Sequence, residues 1–419
     1  MYSNYSRRLF SNFIALGIVQ GANFLLPILI IPYVITKIGA DGFGTVAVAQ
    51  VVMMFFTNIS DYGFNLTATR DVSLNKENPH ILSKIFFTVL ATRLFICLLL
   101  FLVLLVSIVF IPIMKLNSTL YLLAFVSVIG QSTLTNWLFQ GIEKMKLVMY
   151  ISLLARVLFI LLVLFFIREK NDNIYFIFFS GIGNLLAGVL SMIVGYKLLK
   201  LKRIIPSFID IVAELKKGWH ITISNLSVSI YMYVNILILR VFTNDTVVGY
   251  YSVAERVIFA ARQVLSVYFQ AIYPQVCQLA LKSKTELSYF FKKYYRPFLI
   301  CVLAGCVILF FFSEPIVDLF LNENQATASE YLRILSFVPF IVCLNIPAYQ
   351  ILLVFNEKKA LLIIFILGTT VNISLSLFLI PAMGAIGTSY IVFITEFIIT
   401  TTLIFAMVNN QRTRVRFVI

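Results

Sequence analysis

The chain has 419 residues and a formal net charge of +15; 61% of its residues are hydrophobic and only 12% are charged. A mean hydropathy of +0.97 excludes an ordinary soluble domain, which sits nearer half apolar and a quarter charged. The positive charge is not a nucleic-acid signature either: the Lys and Arg residues fall in short clusters between apolar runs, not in one patch on a polar fold.

Apolar stretches of about 20 residues, the length that crosses a bilayer core, recur about twelve times along the chain. The first runs near 11–35, behind Arg7 and Arg8. It is too long for a cleaved signal core and lacks a small-residue cleavage site, so it reads as an uncleaved span. Its Pro27 and Pro32 predict a bend, and Asn12, Gln20 and Asn23 fall on one face. Spans follow near 43–62, 84–111 with Arg93, 119–139, 148–167 with Arg156, and 174–196. A basic loop, 197–218, comes next. Within it Ile204, Ile205, Phe208, Ile211, Val212 and Leu215 recur at helical spacing, predicting a short interfacial helix that joins two halves. The second half places spans near 219–241 with Asn225 and Asn235, 248–273 with Glu255, Arg256 and Arg262, then 297–313, 331–355, 360–380 and 384–408 with Glu396.

Charge sorting orients these spans. With the N-terminus inside, 23 Lys and Arg fall on the inner side and four (Lys37, Lys115, Arg168 and Lys170) outside, the positive-inside asymmetry. Both tails are then cytoplasmic. Trp137 and Trp219 land at inner span ends, as interfacial anchors would. The halves divide as 1–205 and 206–419, six spans each. A weak repeat accompanies the division: GTVAVAQ at 44–50 overlays GYYSVAE at 249–255, and Phe139–Lys144 resembles Phe355–Lys358. Transporters commonly bind their cargo between two such repeats.

A charge at the bilayer centre costs at least ~2.5–3.5 kcal/mol, so an ionisable residue there is a functional candidate. Arg93, Arg156 and Arg256 lie near the midplane, Glu255 and Arg262 are two turns apart on one helix face, and Glu396 is near the middle of its span. Arg240, Arg333 and Asp61 lie near span ends, where snorkelling to the interface accounts for them. An ion pair between helices would explain the midplane set structurally. The excess of arginine favours a cationic cavity for an anionic cargo, since guanidinium grips phosphate with two parallel hydrogen bonds. Gln20, Asn23 and Asn225 either line that cavity or hold helices together. Glu255, Glu396 and Asp61 are the candidate acceptors for a coupling proton or other cation. The five cysteines show no CxxC spacing and the two histidines are far apart, so neither a metal nor a redox cofactor is expected.

Three stretches carry a family resemblance. Pro27 to Gly44, continued by Asp61-Tyr62-Gly63-Phe64-Asn65 and Ala68-Thr69-Arg70, is the first; Trp137 to Met145 is the second; Gly249 to Arg256 with Ala271 to Pro274 is the third. Together they resemble the polysaccharide-export flippases, and within them the Wzx-type O-antigen repeat-unit flippases. The resemblance implies an all-α fold of two six-helix lobes around a central cavity, the multidrug and polysaccharide exporter fold that MATE transporters share. It also implies a bacterial inner-membrane protein that moves undecaprenyl-diphosphate-linked O-units to the periplasmic leaflet by alternating access. Arg93, Arg156, Arg256 and Arg262 would then meet the diphosphate. Membrane lipids and other O-antigen assembly proteins are candidate partners; nucleic acid is not. Two rivals remain. An O-antigen polymerase or ligase would carry a large outer loop, whereas the longest here, about 314–330, holds only Glu314, Asp318, Glu323 and Glu330. A MATE-like small-molecule exporter would want an acidic, aromatic cavity.

Overall fold

The computed structural model describes residues 2–321, 325–355, 357–410 and 413; side chains are described for Gly21 and from residue 29 onward, except residues 224, 270, 271, 274, 281, 284, 325 and 358. Gln20 and Asn23, and with them Asn12 and Pro27, have side chains outside those described. Among the described residues there is no strand. The helices are α1 (Tyr2–Asp61), α2 (Phe64–Leu74), α3 (Pro79–Phe110), α4 (Pro112–Leu116), α5 (Ser118–Thr133), α6 (Asn136–Gly141), α7 (Met145–Phe166), α8 (Asn173–Leu198), α9 (Phe208–Phe242), α10 (Asp245–Lys282), α11 (Lys284–Phe290), α12 (Arg296–Phe311), α13 (Ser313–Asp318), α14 (Gln325–Leu335), α15 (Val338–Val354) and α16 (Lys358–Asn409).

Nine helical stretches among the described residues are long and apolar enough to cross a membrane. The 38-residue α10, which contains Glu255, Arg256 and Arg262, is not one of them. The packing is inverted relative to a soluble protein. Leu98, Leu102, Val106, Val109 and Phe110 of α3 are exposed, while Arg93, Asn235, Asn345, Gln350, Asn372 and Glu396 are buried. An apolar exterior with the polar groups gathered inside is the arrangement a bilayer demands. The protein is an all-α integral membrane protein.

Two glycines break the longest helices, Gly39 in the gap between the first two spans and Gly384 at the first residue of the last one. Gly39 has φ 76° and ψ 168° inside α1, and Gly384 has φ 57° inside α16; glycine adopts these values without a Cβ clash. The non-helical residue in α1 is therefore Gly39, not a position at the two prolines. At Gly384 the chain folds back: Asn372 Nδ2 reaches Thr395 Oγ1 at 3.3 Å, and Asn410 Nδ2 donates to Glu357 Oε1 at 2.8 Å across 53 residues. A straight helix would put 53 residues roughly 80 Å apart, so α16 is a hairpin of two arms.

The backbone divides into two compact units, Met1–Ser229 and Ile230–Ile419, with the division inside α9. In the first, α5 and α8 meet most closely. A Cβ on Gly188 would sit 2.5 Å from the Gly130 carbonyl oxygen, and one on Gly130 would sit 2.4 Å from the Leu185 nitrogen. Small residues let membrane helices approach to backbone contact. A second cluster packs Phe64 and Val72 of α2, Phe86 of α3 and Trp137 of α6. Trp137 is only 1% exposed, so it is a core residue and not the interfacial anchor that its span-end position suggested; the six-residue α6 tucks it against Phe86, 6.3 Å away between ring centroids. Trp219, at 45% exposure, does sit on the surface.

The expected interfacial helix differs as well. Residues 208–218 form the first turns of α9 and run into the next span without interruption. No proline intervenes, and Gly218 stays helical because its bare face lies against Tyr62, where a Cβ would come within 2.5 Å of the carbonyl oxygen. Lys84 of α3 fixes the start of α9 through Asp210 at 2.9 Å. With that bond first and those from Ser207 second, the Asp210 carboxyl is held down to about 2.

In the second unit the core runs from Leu265 and Phe269 of α10 through Cys343 and Ile351 of α15 to Ile399 and Leu403 of α16. Polar pairs cross it: Ser376 donates to Asn235 Oδ1 at 3.0 Å and Asn345 Nδ2 to Thr400 Oγ1 at 3.2 Å. Arg240, expected to snorkel, instead grips Asp245 with two bonds of 2.6 and 2.9 Å across the α9–α10 turn. The short turn places that carboxylate five residues away, within reach of the fork. Arg333 is half-exposed and donates to Ser313 at 2.8 Å.

Candidate functional site

The first unit engages both terminal nitrogens of Arg93, while its Nε is buried without a hydrogen-bond partner among the described residues. Helix α5 ends at Thr133, so its last carbonyls lack intrahelical donors and carry the negative end of the helix dipole. Arg93, on α3, supplies what they need: Nη1 donates to Leu134 O at 2.7 Å, and Nη2 donates to Gln131 O at 2.9 Å. Nη2 also reaches Asp61 Oδ1 at 3.2 Å, and that oxygen accepts from Asn65 at 2.9 Å. The side chain is 5% exposed. This is the inter-helix ion pair considered for the midplane arginines, with Asp61 as its acid; Asp61 is accounted for by pairing, not by snorkelling. Arg156 is half-buried on α7, and Asn225 is exposed on α9.

The second unit gathers three of the sequence candidates. Arg262 of α10 donates from Nη2 to Glu396 Oε1 of α16 at 2.8 Å, with the carboxylate side chain 5% exposed. Arg262 also borders two cavities. The smaller, about 40 Å³, is lined by Tyr233, Tyr251 and Glu255, which confirms that Glu255 and Arg262 share a face. The larger, about 340 Å³, is lined by Ser266, Phe269, Tyr273, Tyr349 and Gln350. Gln350 is anchored through Nε2 to Phe269 O at 3.0 Å. Its Oε1 and the Arg262 Nε are buried without a hydrogen-bond partner among the described residues. A buried orphan costs about 1–3 kcal/mol; Arg93 Nε, Asn235 Nδ2 and Asn372 Oδ1 are buried in the same way away from this cavity, so the cavity lining, not the orphans, defines the site.

The arrangement therefore offers a cationic donor, an amide acceptor, two phenols and an aromatic face within one cavity. It suits an anionic or polyhydroxylated ligand better than a cation. Arg256 is half-buried on α10 and lines neither cavity. Sequence reasoning missed Tyr273, Tyr349 and Gln350; a glutamine inside span ten was the available signal. It also overstated the arginine surplus. With Asp61 drawn in, four arginines face three acids. Among the described residues, no His, Cys, Asp and Glu cluster could hold a metal.

Residues 9–280 match the family model described as "Polysaccharide biosynthesis protein". The chain belongs to that family. Two relatives share the name "Putative O-antigen transporter". The Escherichia coli (strain K12) protein is 26% identical over 401 residues, 96% of this chain and 97% of its own. The Shigella dysenteriae protein is 27% identical over 394 residues, 93% and 97% respectively. Among solved structures, the lipid II flippase MurJ in an inward closed conformation aligns with a TM-score of 0.72 at 15% identity, covering 96% of this chain and 87% of that one. An inward-facing multidrug resistance MATE transporter of the MOP superfamily aligns with a TM-score of 0.67 at 15% identity, covering 94% and 97%. The likeness to these two is one of fold, and it agrees with the exporter fold that the sequence resemblance implied.

Within the family frame, the resembling stretches have structural work. Tyr62 and Gly63 take left-handed backbone, φ 48° and 73°, turning α1 into α2. A Cβ on Gly63 would meet Ile221 of α9 at 2.7 Å, and one on Gly141 of α6 would meet Val72 of α2 at 2.5 Å. Two of the three stretches thus pack against each other as scaffold.

Proposed function

We propose that the chain is a flippase of the bacterial inner membrane that carries undecaprenyl-diphosphate-linked oligosaccharide units from the cytoplasmic to the periplasmic leaflet. In this reading it crosses the membrane twelve times, keeps both termini in the cytoplasm and works by alternating access between halves 1–205 and 206–419. The observation that carries the reading is the Arg262 cavity, in a family member whose relatives are named for O-antigen transport. An isolated diphosphate costs tens of kcal/mol to bring into hydrocarbon. A buried guanidinium beside hydroxyl and amide groups offsets the charge and hydrogen-bonds the sugars. Arg156, Arg256, Gln20, Asn23 and Asn225 remain candidate contacts along the path, and Arg93 serves it by holding α3 to α5. Glu396 is the foremost candidate for ion coupling: a proton or cation arriving at its carboxylate would release Arg262 for the cargo. Glu255 lines the adjoining cavity, while Asp61 is committed to Arg93 and Asn65.

The test is complementation of a strain lacking its O-unit flippase, with the leaflet of the trapped lipid-linked unit assayed. The wild-type chain restores display. Arg262→Ala leaves the protein in the membrane but traps single units on the cytoplasmic face. Trapping on the periplasmic face would instead identify a polymerase, and undiminished display by Arg262→Ala would remove the cavity from the path.

A further inference from the structure

The second unit contains another cavity, of about 310 Å³, framed by α12, α15 and α16 and by a π-turn at Phe291–Tyr295. Its walls are apolar, with Leu299, Leu303, Phe340 and Leu344 among them. Two cations stand at its edge, Lys292 and Arg296, both exposed, and no acidic residue lines it. The π-turn decides which cations face the slot. Lys293 is turned away, its ammonium 5.8 Å and 5.4 Å from the ring centroids of Tyr289 and Tyr294. The Tyr295 hydroxyl donates to the Cys343 carbonyl of α15, which pins the π-turn and so holds Lys292 and Arg296 in place. On α12, Ile300, Ile308 and Phe311 are exposed, so the slot wall continues into an apolar outer surface. The slot opens toward hydrocarbon, not water.

An apolar slot opening to lipid, edged by two cations at the Lys- and Arg-rich end of the unit, has the chemistry of a lipid whose phosphate is negative. Basic pockets between membrane helices take anionic headgroups in this way. We propose that this slot binds an anionic phospholipid, with one acyl chain along the apolar wall and the phosphate between Lys292 and Arg296. The site is separate from the Arg262 cavity and does not rest on the cargo proposed above.

The full chain in phosphatidylcholine nanodiscs, titrated with fluorescent phosphatidylglycerol, tests the assignment. Each cation near an anionic lipid contributes about 1 kcal/mol. Lys292→Ala/Arg296→Ala should therefore weaken phosphatidylglycerol binding roughly thirtyfold. Lys293→Ala should change it less than twofold, and Leu303→Trp, which fills the slot and leaves both cations, should block it. Equal losses in Lys293→Ala and the double variant would reduce the effect to general surface charge and overturn the proposal. So would equal affinity for fluorescent phosphatidylcholine. Displacement of phosphatidylglycerol by an equimolar polyprenyl phosphate, abolished in the double variant, would assign the slot to the carrier lipid and also overturn it.

Discussion

Arg93 provides the sharpest separation between a cargo contact and a structural clamp. Arg93→Met keeps an apolar stem of similar reach and removes three hydrogen bonds, two to the C-terminal carbonyls of α5 and one to Asp61. It also strands a carboxylate whose side chain is 19% exposed. Removing one member of a buried pair costs about 3–5 kcal/mol, because the remaining charge is uncompensated. Asp61→Asn should cost less, about 1–3 kcal/mol, since the guanidinium keeps both carbonyls. The double variant should be more stable than the sum of the singles implies, by a coupling of about 0.5–3 kcal/mol. Chemical unfolding in mixed micelles gives the stabilities, and O-unit display in the null strain gives transport. The clamp predicts that display follows the amount of folded protein and that Asp61→Asn partly rescues Arg93→Met. If Arg93→Met were as stable as the parent but dead in transport, the guanidinium would be meeting cargo and this reasoning would be refuted.

Other consequences can be checked in the same assays. Trp137→Ala should destabilise by about 3–5 kcal/mol as a core truncation, whereas Trp219→Ala, on the surface, should fall within about 0.5 kcal/mol of the parent. Gly188→Leu should abolish accumulation of folded protein, because even its Cβ would sit 2.5 Å from the Gly130 carbonyl oxygen. Docking of residues 208–218 should depend on Asp210, whose carboxyl is held at about 2 by Lys84 and Ser207. The unfolded value is about 3.9, so the stabilisation is complete above that value and is lost as pH falls through about 2. Limited proteolysis should find Asp210→Asn more open than the parent at pH 6, with the difference vanishing near pH 2.

The fold was legible wherever one residue type obeys one rule. Hydrocarbon demands about 20 apolar residues per crossing, and glycines at 39 and 384 mark the breaks between neighbouring spans. Of the polar residues that the sequence marked in span seven, Asn235 is buried and accepts from Ser376, whereas Asn225 is exposed. What could not be read depends on backbone groups brought together by folding. The partners of Arg93 include the carbonyls of Gln131 and Leu134, which every residue possesses and no pattern distinguishes. Trp137 failed as an anchor for the same reason: position near a span end is a sequence property, but burial by α2 and α3 is not. Residues 208–218 have the amphipathic spacing of an interfacial helix, yet spacing does not say where a helix stops.

The same division runs through the family signal. The matched region ends at residue 280. It contains the left-handed turn at Tyr62 and Gly63, the close approach of Gly141 to Val72, and Arg262 itself. These are positions where a replacement costs packing or leaves a buried acid unpaired. The cavity wall opposite Arg262 comes from α15, and its ion-pair partner from α16, both beyond that region. Tyr349, Gln350 and Glu396 lie there. The two relatives named for O-antigen transport align over 401 and 394 residues, so the likeness to them extends past residue 280 and takes in this wall as well. Under the proposed function, Tyr349 and Gln350 are the neutral hydrogen-bonding groups of that wall that would meet the sugars. Rejection of a wrong hydroxyl pattern comes from leaving buried hydrogen-bonding groups unpaired, and in the proposed function that role would fall to the Gln350 amide, whose Oε1 is buried without a partner among the described residues.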